Sequence, residues 1–314
     1  MSVAERPGVP RKARRGRLLV AAAAVFWSAG GLMTRTVETD AWTTVFWRGL
    51  FCGAFLVVVT ALRARRETLA TFVSIGGAGL GMAVCFAAAS TCYIMALHRT
   101  SVANVLIIQS LSPFMAGLLG WACMGERVAG RTWLAMSVAL LGSAIMVSRY
   151  FYAAPAAGSL GGDLLAFTVA LSFAIATVFL RRRPQVEMLP AAALAAWLTA
   201  LGAAFAARPG SADARDLGLL ALFGAAQLGL GMILFTAGAR RIPVAEASLI
   251  AVLESVLGPI WVWLAIGENP GLPSVIGGVI VLAALAGHTL ADLRRERGAV
   301  IPQAGLRNRS STGT

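Results

Sequence analysis

The sequence predicts an all-α membrane protein with ten transmembrane helices, arranged as two inverted five-helix repeats. Three observations predict this fold: a strongly apolar composition, a series of long apolar stretches and an internal repeat. Hydrophobic residues make up 58% of the 314 residues and charged residues only 13%. A soluble domain usually carries about twice that charged fraction. The chain therefore has the composition of a polypeptide that lies mostly within a bilayer.

Ten apolar stretches provide the helices. A transmembrane helix needs about 20 mostly apolar residues, and stretches near that length occur at 18–34, 42–62, 72–97, 102–123, 133–148, 160–180, 189–207, 217–239, 244–266 and 272–291. Short polar segments separate them. These apolar runs are too continuous for the alternating pattern of a membrane β-barrel.

The basic residues predict the orientation. The chain has a net charge of +13. If the N-terminus is cytoplasmic, 21 of its 27 basic residues fall in cytoplasmic segments, five fall outside and Arg48 lies within a helix. This asymmetry follows the positive-inside rule. We therefore expect a multi-pass protein of the cytoplasmic membrane with both termini cytoplasmic, and we do not expect nucleic-acid binding. Residues 1–16 are expected to form a disordered basic tail and residues 293–314 a cytoplasmic tail.

An internal repeat divides the chain into two halves. Residues 96–126 align with 238–268 at a constant shift of 142, and residues 25–35 align with 171–181 at a slightly different shift. The halves are residues 17–149 and 160–292. Because each half has five helices, the second must insert upside down relative to the first. Inverted repeats commonly build transporters with a substrate site near mid-membrane.

Several short motifs resemble one transporter family. They are the two copies of V-A-[N/E] followed by G-E, Trp27 followed by small residues, FWRGL at 46–50 and LSPF at 111–114. Together they resemble the drug/metabolite transporter (DMT) superfamily, and within it the ten-helix EamA-like exporters. The resemblance implies a central cavity lined by helices 1–4 and 6–9, with helices 5 and 10 peripheral.

One position departs from the family pattern. The second-half residue that matches Pro113 is Ser255, and a proline follows only at Pro259. Proline removes a backbone donor and kinks a helix. We therefore expect kinks at Pro113 and Pro259, with the kink of helix 9 one turn nearer the outer surface than its counterpart.

Glu254 is the main candidate for the transport pathway. It lies about 15 Å along helix 9, near the middle of a bilayer core about 30 Å thick. A carboxylate there costs about 2.5–3.5 kcal/mol on insertion scales, so it should face protein or water. Its small helical neighbours Ala247, Ala251 and Gly258 leave room beside it. The alternative is a single interhelical hydrogen bond that only fixes packing.

Other polar residues within helices are further candidates. In helix 4, Asn104, Gln109 and Ser112 fall on one face, where they could contact substrate or hold helices together. Arg48 could bind a substrate carboxylate, pair with Glu254 or stabilise helix 2, and the family pattern favours a structural or gating role. The second-rank candidates for lining the cavity are Gln227, Tyr93 and Trp27. Glu126 and Glu268 stand in Gly-Glu turns and are expected to pair with a nearby loop arginine or with a helix terminus.

The predicted function is a secondary transporter, exporting a small metabolite or drug-like solute by alternating access. We hypothesise that Glu254 couples transport to protons. The alternative is a non-transporting membrane sensor or scaffold. An intramembrane enzyme is least favoured, because the chain has no HExxH or GxSxG motif, and no Walker motif indicates ATP-driven transport. Four cysteines without ligand spacing predict no metal site, and no cofactor is expected. The partners are a small solute and the lipid bilayer, with homodimerisation left open.

Overall fold

The computed structural model describes residues 9–100, 102–153, 160–267, 269 and 271–300. Their regular structure is helical throughout. In chain order the α-helices are α1 (Val9–Ser28), α2 (Gly30–Thr36), α3 (Ala41–Ala64), α4 (Thr68–Ser74), α5 (Gly76–Leu97), α6 (Val102–Gln109), α7 (Ser112–Met124), α8 (Gly130–Ala153), α9 (Leu160–Arg182), α10 (Leu189–Ala203), α11 (Ala214–Ala221), α12 (Gly231–Ala239), α13 (Val244–Ala251), α14 (Leu253–Ile266) and α15 (Gly271–Val300). A π-helical segment, Leu222–Leu230, joins α11 to α12.

The helices combine into ten membrane spans, which confirms the predicted fold class. Spans 1 to 10 are α1–α2, α3, α4–α5, α6–α7, α8, α9, α10, α11–α12, α13–α14 and α15. Within the described ranges, nine segments are long and apolar enough to cross a bilayer by length and composition. The exception is span 7, whose α10 has 15 residues.

The first helix begins earlier than expected and the last one ends later. Residues 9–16, expected to belong to a disordered tail, form the first two turns of α1. Likewise α15 runs to Val300, well into the expected C-terminal tail. Arginine, lysine, alanine and leucine are good helix formers, so the polar flanks continue the helix of the adjoining apolar run. The remainder of each tail, residues 1–8 and 301–314, lies outside the described residues.

Spans 4 and 9 are interrupted at equivalent positions. Span 4 breaks at Ser110 and Leu111, and span 9 breaks at Val252, which is 142 residues after Ser110. Pro259 lies further along span 9, inside the continuous helix α14, and the kink expected there stays a prediction. At the break the Ser255 hydroxyl donates a hydrogen bond to the Val252 carbonyl at 2.7 Å. A serine–backbone bond thus replaces the Pro113 of span 4 in stabilising an irregular turn.

The glycine of each G-E motif ends a helix. Gly125 follows α7 with φ +67°, and Gly267 follows α14 with φ +76°. This left-handed conformation is readily adopted only by glycine and satisfies carbonyls at the helix C-terminus. The repeated motif is therefore a pair of helix terminators.

The spans pack around a central space. Spans 1 and 8 pack together, as do 3 and 6, 2 and 7, 4 and 9, and 5 and 10. The helices of spans 5 and 10 approach closely at Gly142 and Gly277, where a Cβ on either residue would meet the other's carbonyl oxygen. Small residues allow such backbone contact in membrane proteins.

Candidate functional site: a central polar cavity

A cavity of about 90 Å³ lies between spans 1–4 and 6–9. We call it the central cavity. Its wall is formed by Trp27, Arg48, Cys52, Phe86, Ala89, Ser90, Tyr93, Gln109, Val169, Phe173, Ala192, Ala195, Ala196, Thr199, Gln227, Leu228, Met232 and Glu254. No lining residue comes from span 5 or span 10. This is the arrangement that the family resemblance implied.

Six of the eight residues predicted for the pathway line this cavity. They are Glu254, Arg48, Gln109, Gln227, Tyr93 and Trp27. Ser112 lies instead beside a smaller neighbouring cavity. Asn104 is distant from both, because its side-chain amide donates a hydrogen bond to Asp163 of α9 at 3.2 Å. Pro113 lies in the first turn of α7, directly after the break in span 4.

Arg48 and Glu254 share the cavity without forming an ion pair. Within the described residues, no contact of 4.0 Å or less joins the guanidinium to the carboxylate. Arg48 is only 5% exposed, and its guanidinium lies over the ring of Phe223, 4.8 Å from the centroid. This cation–π contact provides part of the stabilisation that a buried cation needs. Both charged groups remain available to a ligand.

The wall also carries buried polar atoms without partners. Within the part of the chain that the structure describes, four residues of the wall carry such an atom: Trp27 Nε1, Arg48 Nε, Ser90 Oγ and Gln227 Oε1. Buried polar groups are nearly always hydrogen-bonded, to protein or to ordered water. A concentration of unpaired donors and acceptors around one cavity therefore indicates a site for water or a polar ligand.

Span 1 breaks where it meets the cavity. α1 ends at Ser28 and α2 begins at Gly30, which leaves carbonyl groups without their helical partners. The Gln227 side chain donates a hydrogen bond from Nε2 to the Trp27 carbonyl oxygen at 2.7 Å. The Trp261 indole N–H donates to the Ser28 hydroxyl at 2.7 Å. Spans 8 and 9 therefore hold the broken segment in place.

The π-helical segment that carries Gln227 was not predicted from the sequence. π-helical turns occur mostly at functional sites, and here the wide turn includes Gly224 and Gly229. A Cβ on Gly224 would lie 2.5 Å from the Arg48 carbonyl oxygen. The run of small residues FGAAQLGLG at 223–231 was the available signal. It indicates close approach of helices, but not the extra residue in the turn.

An aromatic cluster adjoins the polar wall. Five ring contacts with centroid separations of 5.1–6.1 Å, the edge-on contact of Trp27 with Phe173 among them, join Trp27, Phe86, Phe173 and Phe235. Trp27 and Phe173 lie in the repeated segments 25–35 and 171–181. Offset and edge-to-face rings pack firmly. The cluster gives one end of the cavity an apolar surface.

A second cavity of about 40 Å³ lies between the breaks of spans 4 and 9. The Ser112 and Ser248 hydroxyls line it and have no hydrogen-bond partner within the described segments. Gln109 and Glu254 line both this cavity and the central one. Glu254 therefore stands between two polar spaces, with room for one or a few waters in the smaller.

A buried charged cluster lies at one end of the bundle and was not predicted. The Arg17 guanidinium contacts Glu246 at 2.5 Å and Asp292 at 3.4 Å, and Arg131 also contacts Asp292. Ligand atoms of Glu246, His288 and Asp292 lie within 4.8 Å of one another. A metal ion is nevertheless disfavoured there, because the Arg17 cation already occupies the space between the two carboxylates.

The glutamate of the first G-E motif forms the expected ion pair. Glu126 accepts a hydrogen bond from Arg181 Nε at 3.1 Å, which confirms that prediction. Its second oxygen accepts from the backbone N–H of Val244 at 3.2 Å, at the N-terminus of α13. Glu268 lies outside the described residues.

Ten membrane helices around a polar cavity with unpaired opposite charges define the class of the protein, a multi-pass membrane transporter. One solved crystal structure shares this fold with a TM-score of 0.76 at 19% sequence identity, over 89% of this chain and 98% of that one. This likeness concerns the fold alone.

The sequence comparisons establish the family. The model of the EamA-like transporter family matches residues 14–148 and again residues 160–290, and the chain belongs to this family. It is 27% identical over 197 residues to a protein of Pseudomonas aeruginosa named pseudopaline exporter CntI, covering 62% of this chain and 68% of that one. It is 26% identical over 280 residues to an uncharacterized transporter of Archaeoglobus fulgidus, covering 86% and 94%. The chain is thus a membrane transporter of this family.

Proposed function

We propose that this protein exports a small polar solute across the cell membrane by alternating access. The central cavity is the observation that carries the proposal: eight spans enclose it, and Arg48 and Glu254 face it without an ion pair. Export is supported by the relative from Pseudomonas aeruginosa that is named an exporter.

The two halves supply the mechanism in this proposal. Five spans in each half give inverted repeats, and two observations support this arrangement. The family model matches twice. Span 1 of the first half packs against span 8 of the second, and their counterparts in the other half, spans 6 and 3, also pack together. Rocking of one such half against the other exposes a site near mid-membrane to each side in turn. The excess of basic residues in the N-terminal tail, the C-terminal tail and the connecting segments on the same side supports a cytoplasmic location of both termini.

The chemistry of the wall limits the solute. Arg48 is a donor for a negative or carbonyl-bearing group. Glu254 and the Gln227 oxygen are acceptors for an amine or amide. Amino acids, cysteine metabolites, purines and cationic drugs each carry some of these groups, and comparing the metabolites in the medium of overexpressing and deleted cells will identify the substrate. An unchanged medium would favour the sensor or scaffold alternative.

We further propose that Glu254 couples transport to protons. The carboxylate faces two polar cavities and has no ion-pair partner within the described residues, so a proton is the simplest counter-charge available to it. Burial favours the neutral form of a carboxyl group. In this scheme, the proton and the solute are released on opposite sides of the membrane.

Vesicle transport with Glu254→Gln tests the coupling. Glutamine keeps the size and removes the charge, so we expect transport that no longer responds to a pH gradient. The matched control is Glu126→Gln, which neutralises a carboxylate outside the cavity. Persistence of the full pH-gradient response in Glu254→Gln would refute coupling at this residue while leaving the transporter assignment intact.

A further inference from the structure

Two contacts at opposite ends of the bundle connect the two halves. We call them the Arg17 contact and the Asp163 contact. In the first, Arg17 Nε of span 1 lies 2.5 Å from Glu246 Oε1 of span 9. In the second, Asp163 Oδ1 of span 6 accepts hydrogen bonds from Thr100 Oγ1 at 2.8 Å and from Asn104 Nδ2 of span 4 at 3.2 Å.

The internal repeat makes these two contacts equivalent. The shift of 142 that aligns residues 96–126 with 238–268 places Asn104 on Glu246. The alignment of residues 25–35 with 171–181 is a shift of 146, and the same shift places Arg17 on Asp163. Each contact therefore joins the first span of one half to the fourth span of the other, between corresponding residues.

A second pair of contacts also joins residues that correspond in the two halves. The Thr132 hydroxyl of span 5 lies 2.9 Å from His288 Nε2 of span 10. The Ser274 hydroxyl of span 10 donates to the Met146 carbonyl of span 5 at 3.0 Å. Thr132 corresponds to Ser274 and Met146 to His288, both at a shift of 142. The equivalence thus extends beyond the first four residues.

The four spans that carry the first two contacts all reach the central cavity. Trp27 of span 1, Gln109 of span 4, Phe173 of span 6 and Glu254 of span 9 lie in its wall. Separation of spans 1 and 9 at the Arg17 end, or of spans 4 and 6 at the Asp163 end, opens a route to the cavity from that side. Both contacts are formed in this structure.

We propose that the Arg17 contact and the Asp163 contact are the two latches of the transport cycle, one at each membrane face, and that only one of them opens at a time. The proposal rests on the proposed alternating access. The predicted orientation puts the Arg17 latch at the cytoplasmic face. Substrate entering from the cytoplasm must separate Arg17 from Glu246, and its release outside must separate Asp163 from Asn104.

The two latches differ in chemistry. The Arg17 latch is ionic and buried, with Arg17 9% and Glu246 4% exposed, and Asp292 extends it through a second contact to Arg17. The Asp163 latch pairs one carboxylate with a hydroxyl and an amide. Removing one partner of a buried ion pair is strongly destabilising, because it leaves a charge uncompensated. Opening the Arg17 latch therefore separates buried opposite charges, whereas opening the Asp163 latch separates a carboxylate from neutral donors.

Cys52 provides a reporter for the experiment. It lies in the wall of the central cavity and is 1% exposed, so a thiol reagent reaches it only when one side opens. Cys85, Cys92 and Cys123 are first replaced by serine. A membrane-impermeant methanethiosulfonate is then applied to inside-out and right-side-out vesicles. The measured quantity is the rate of Cys52 modification from each face.

Two variants open one latch each. Glu246→Asn installs the residue of its counterpart Asn104, and Asp163→Asn removes the carboxylate of the other latch. We expect Glu246→Asn to raise the labelling rate about tenfold or more from the cytoplasmic face only, the factor for a change of about 1.4 kcal/mol between two states. Asp163→Asn should raise it from the outer face only. Equal changes from both faces, or no change in either variant, would overturn the proposal.

Matched control variants distinguish the effect of losing a latch from the effect of losing any other ion pair. Glu187→Gln breaks a pair with Arg240 inside the second half, and Glu38→Gln breaks an exposed pair with Arg215. Both should leave Cys52 labelling unchanged. If Glu246→Asn does not fold, the neutral double variant Arg17→Gln/Glu246→Gln gives the same measurement without a buried lone charge. The labelling measurement requires no substrate. If the variants show face-specific labelling but cells export no metabolite, the proposed export function is rejected and the latch proposal stands.

Discussion

Gln227 and Trp27 lie 200 residues apart and are joined by a buried hydrogen bond of 2.7 Å from the Gln227 amide to the Trp27 carbonyl oxygen. The bond connects the π-helical turn of span 8 to the break in span 1. The Nε2 end of the glutamine amide makes this bond, while the other end, Oε1, is buried and has no partner within the described residues, and the residue lines the cavity. One side chain thus shapes the central cavity and is also available to a ligand.

The first prediction concerns this bond. Gln227→Ala leaves the buried Trp27 carbonyl unsatisfied, which typically costs about 1–3 kcal/mol. We expect the free energy of unfolding in detergent to fall by about that amount. The control is Ser90→Ala, which removes a cavity-facing hydroxyl that has no partner in the described chain and should change stability little. Equal losses in the two variants would show that the bond contributes nothing.

The second prediction compares two glycines of span 8. A Cβ on Gly231 would collide with the Trp27 indole, whereas a Cβ on Gly218 meets nothing within 4 Å. Gly231→Ala should therefore destabilise the protein by about 1–3 kcal/mol, as overpacking does. Gly218→Ala should be neutral or stabilise α11 by up to about 1 kcal/mol. Thermal unfolding of both variants measures the difference, and a tolerated Gly231→Ala would show that Trp27 can move aside.

The third prediction concerns the cap of α3. The Asp40 carboxylate accepts hydrogen bonds from the Thr43 hydroxyl at 2.6 Å and from the backbone N–H groups of Trp42 and Thr43. Burial raises the pKa of Asp40, but these hydrogen bonds and the charge of Arg208 outweigh it and bring the pKa below its ordinary value. The carboxylate is therefore stabilised in the folded protein.

The pH dependence of this cap has a defined sign. Because the folded pKa is lowered, the contribution of Asp40 is fully present above its unfolded pKa of about 3.9 and is lost as pH falls below it. Asp40→Ala should lower stability at pH 7 by about 0.5–2 kcal/mol, and Asp40→Asn should lose less. Unfolding of both variants between pH 7 and pH 3 tests this. A deficit of Asp40→Ala that stays constant at low pH contradicts the assignment.

The fourth prediction addresses the inverted arrangement. Arg127 follows the first G-E motif and Asn269 follows the second, and both are exposed. In a background without the native cysteines, Arg127→Cys and Asn269→Cys should be labelled from opposite faces of the membrane. The cytoplasmic face is expected for Arg127, because basic residues concentrate there. Labelling of both from one face would exclude inverted halves and, with them, the equivalence of the two latches.

Local sequence patterns predicted the spans and six of the residues in the cavity wall. Length and hydropathy locate a membrane helix, because the bilayer requires about 20 apolar residues whatever the neighbours are. The same solvent argument identified Glu254 and Arg48, since a charged group in a span must face protein or water. The sequence did not predict the break at Val252 of span 9, where the Ser255 hydroxyl donates a hydrogen bond to the backbone.

The sequence did not predict which distant segments contact each other. Nothing local distinguishes Asn104, which bonds to Asp163 at one end of the bundle, from Gln109, which lines the cavity one turn and a half further along span 4. Arg17 was counted only as one of the 21 basic residues of the cytoplasmic segments, yet it is 9% exposed and contacts both Glu246 and Asp292.

The sequence by itself determined that this protein crosses the membrane ten times as a repeated unit, because the bilayer acts on each span separately. Only the tertiary structure decided which polar side chains meet each other and which are left facing the cavity. The physical reason is that a buried polar group must find its partner across the bundle, on a helix that can lie 200 or more residues away.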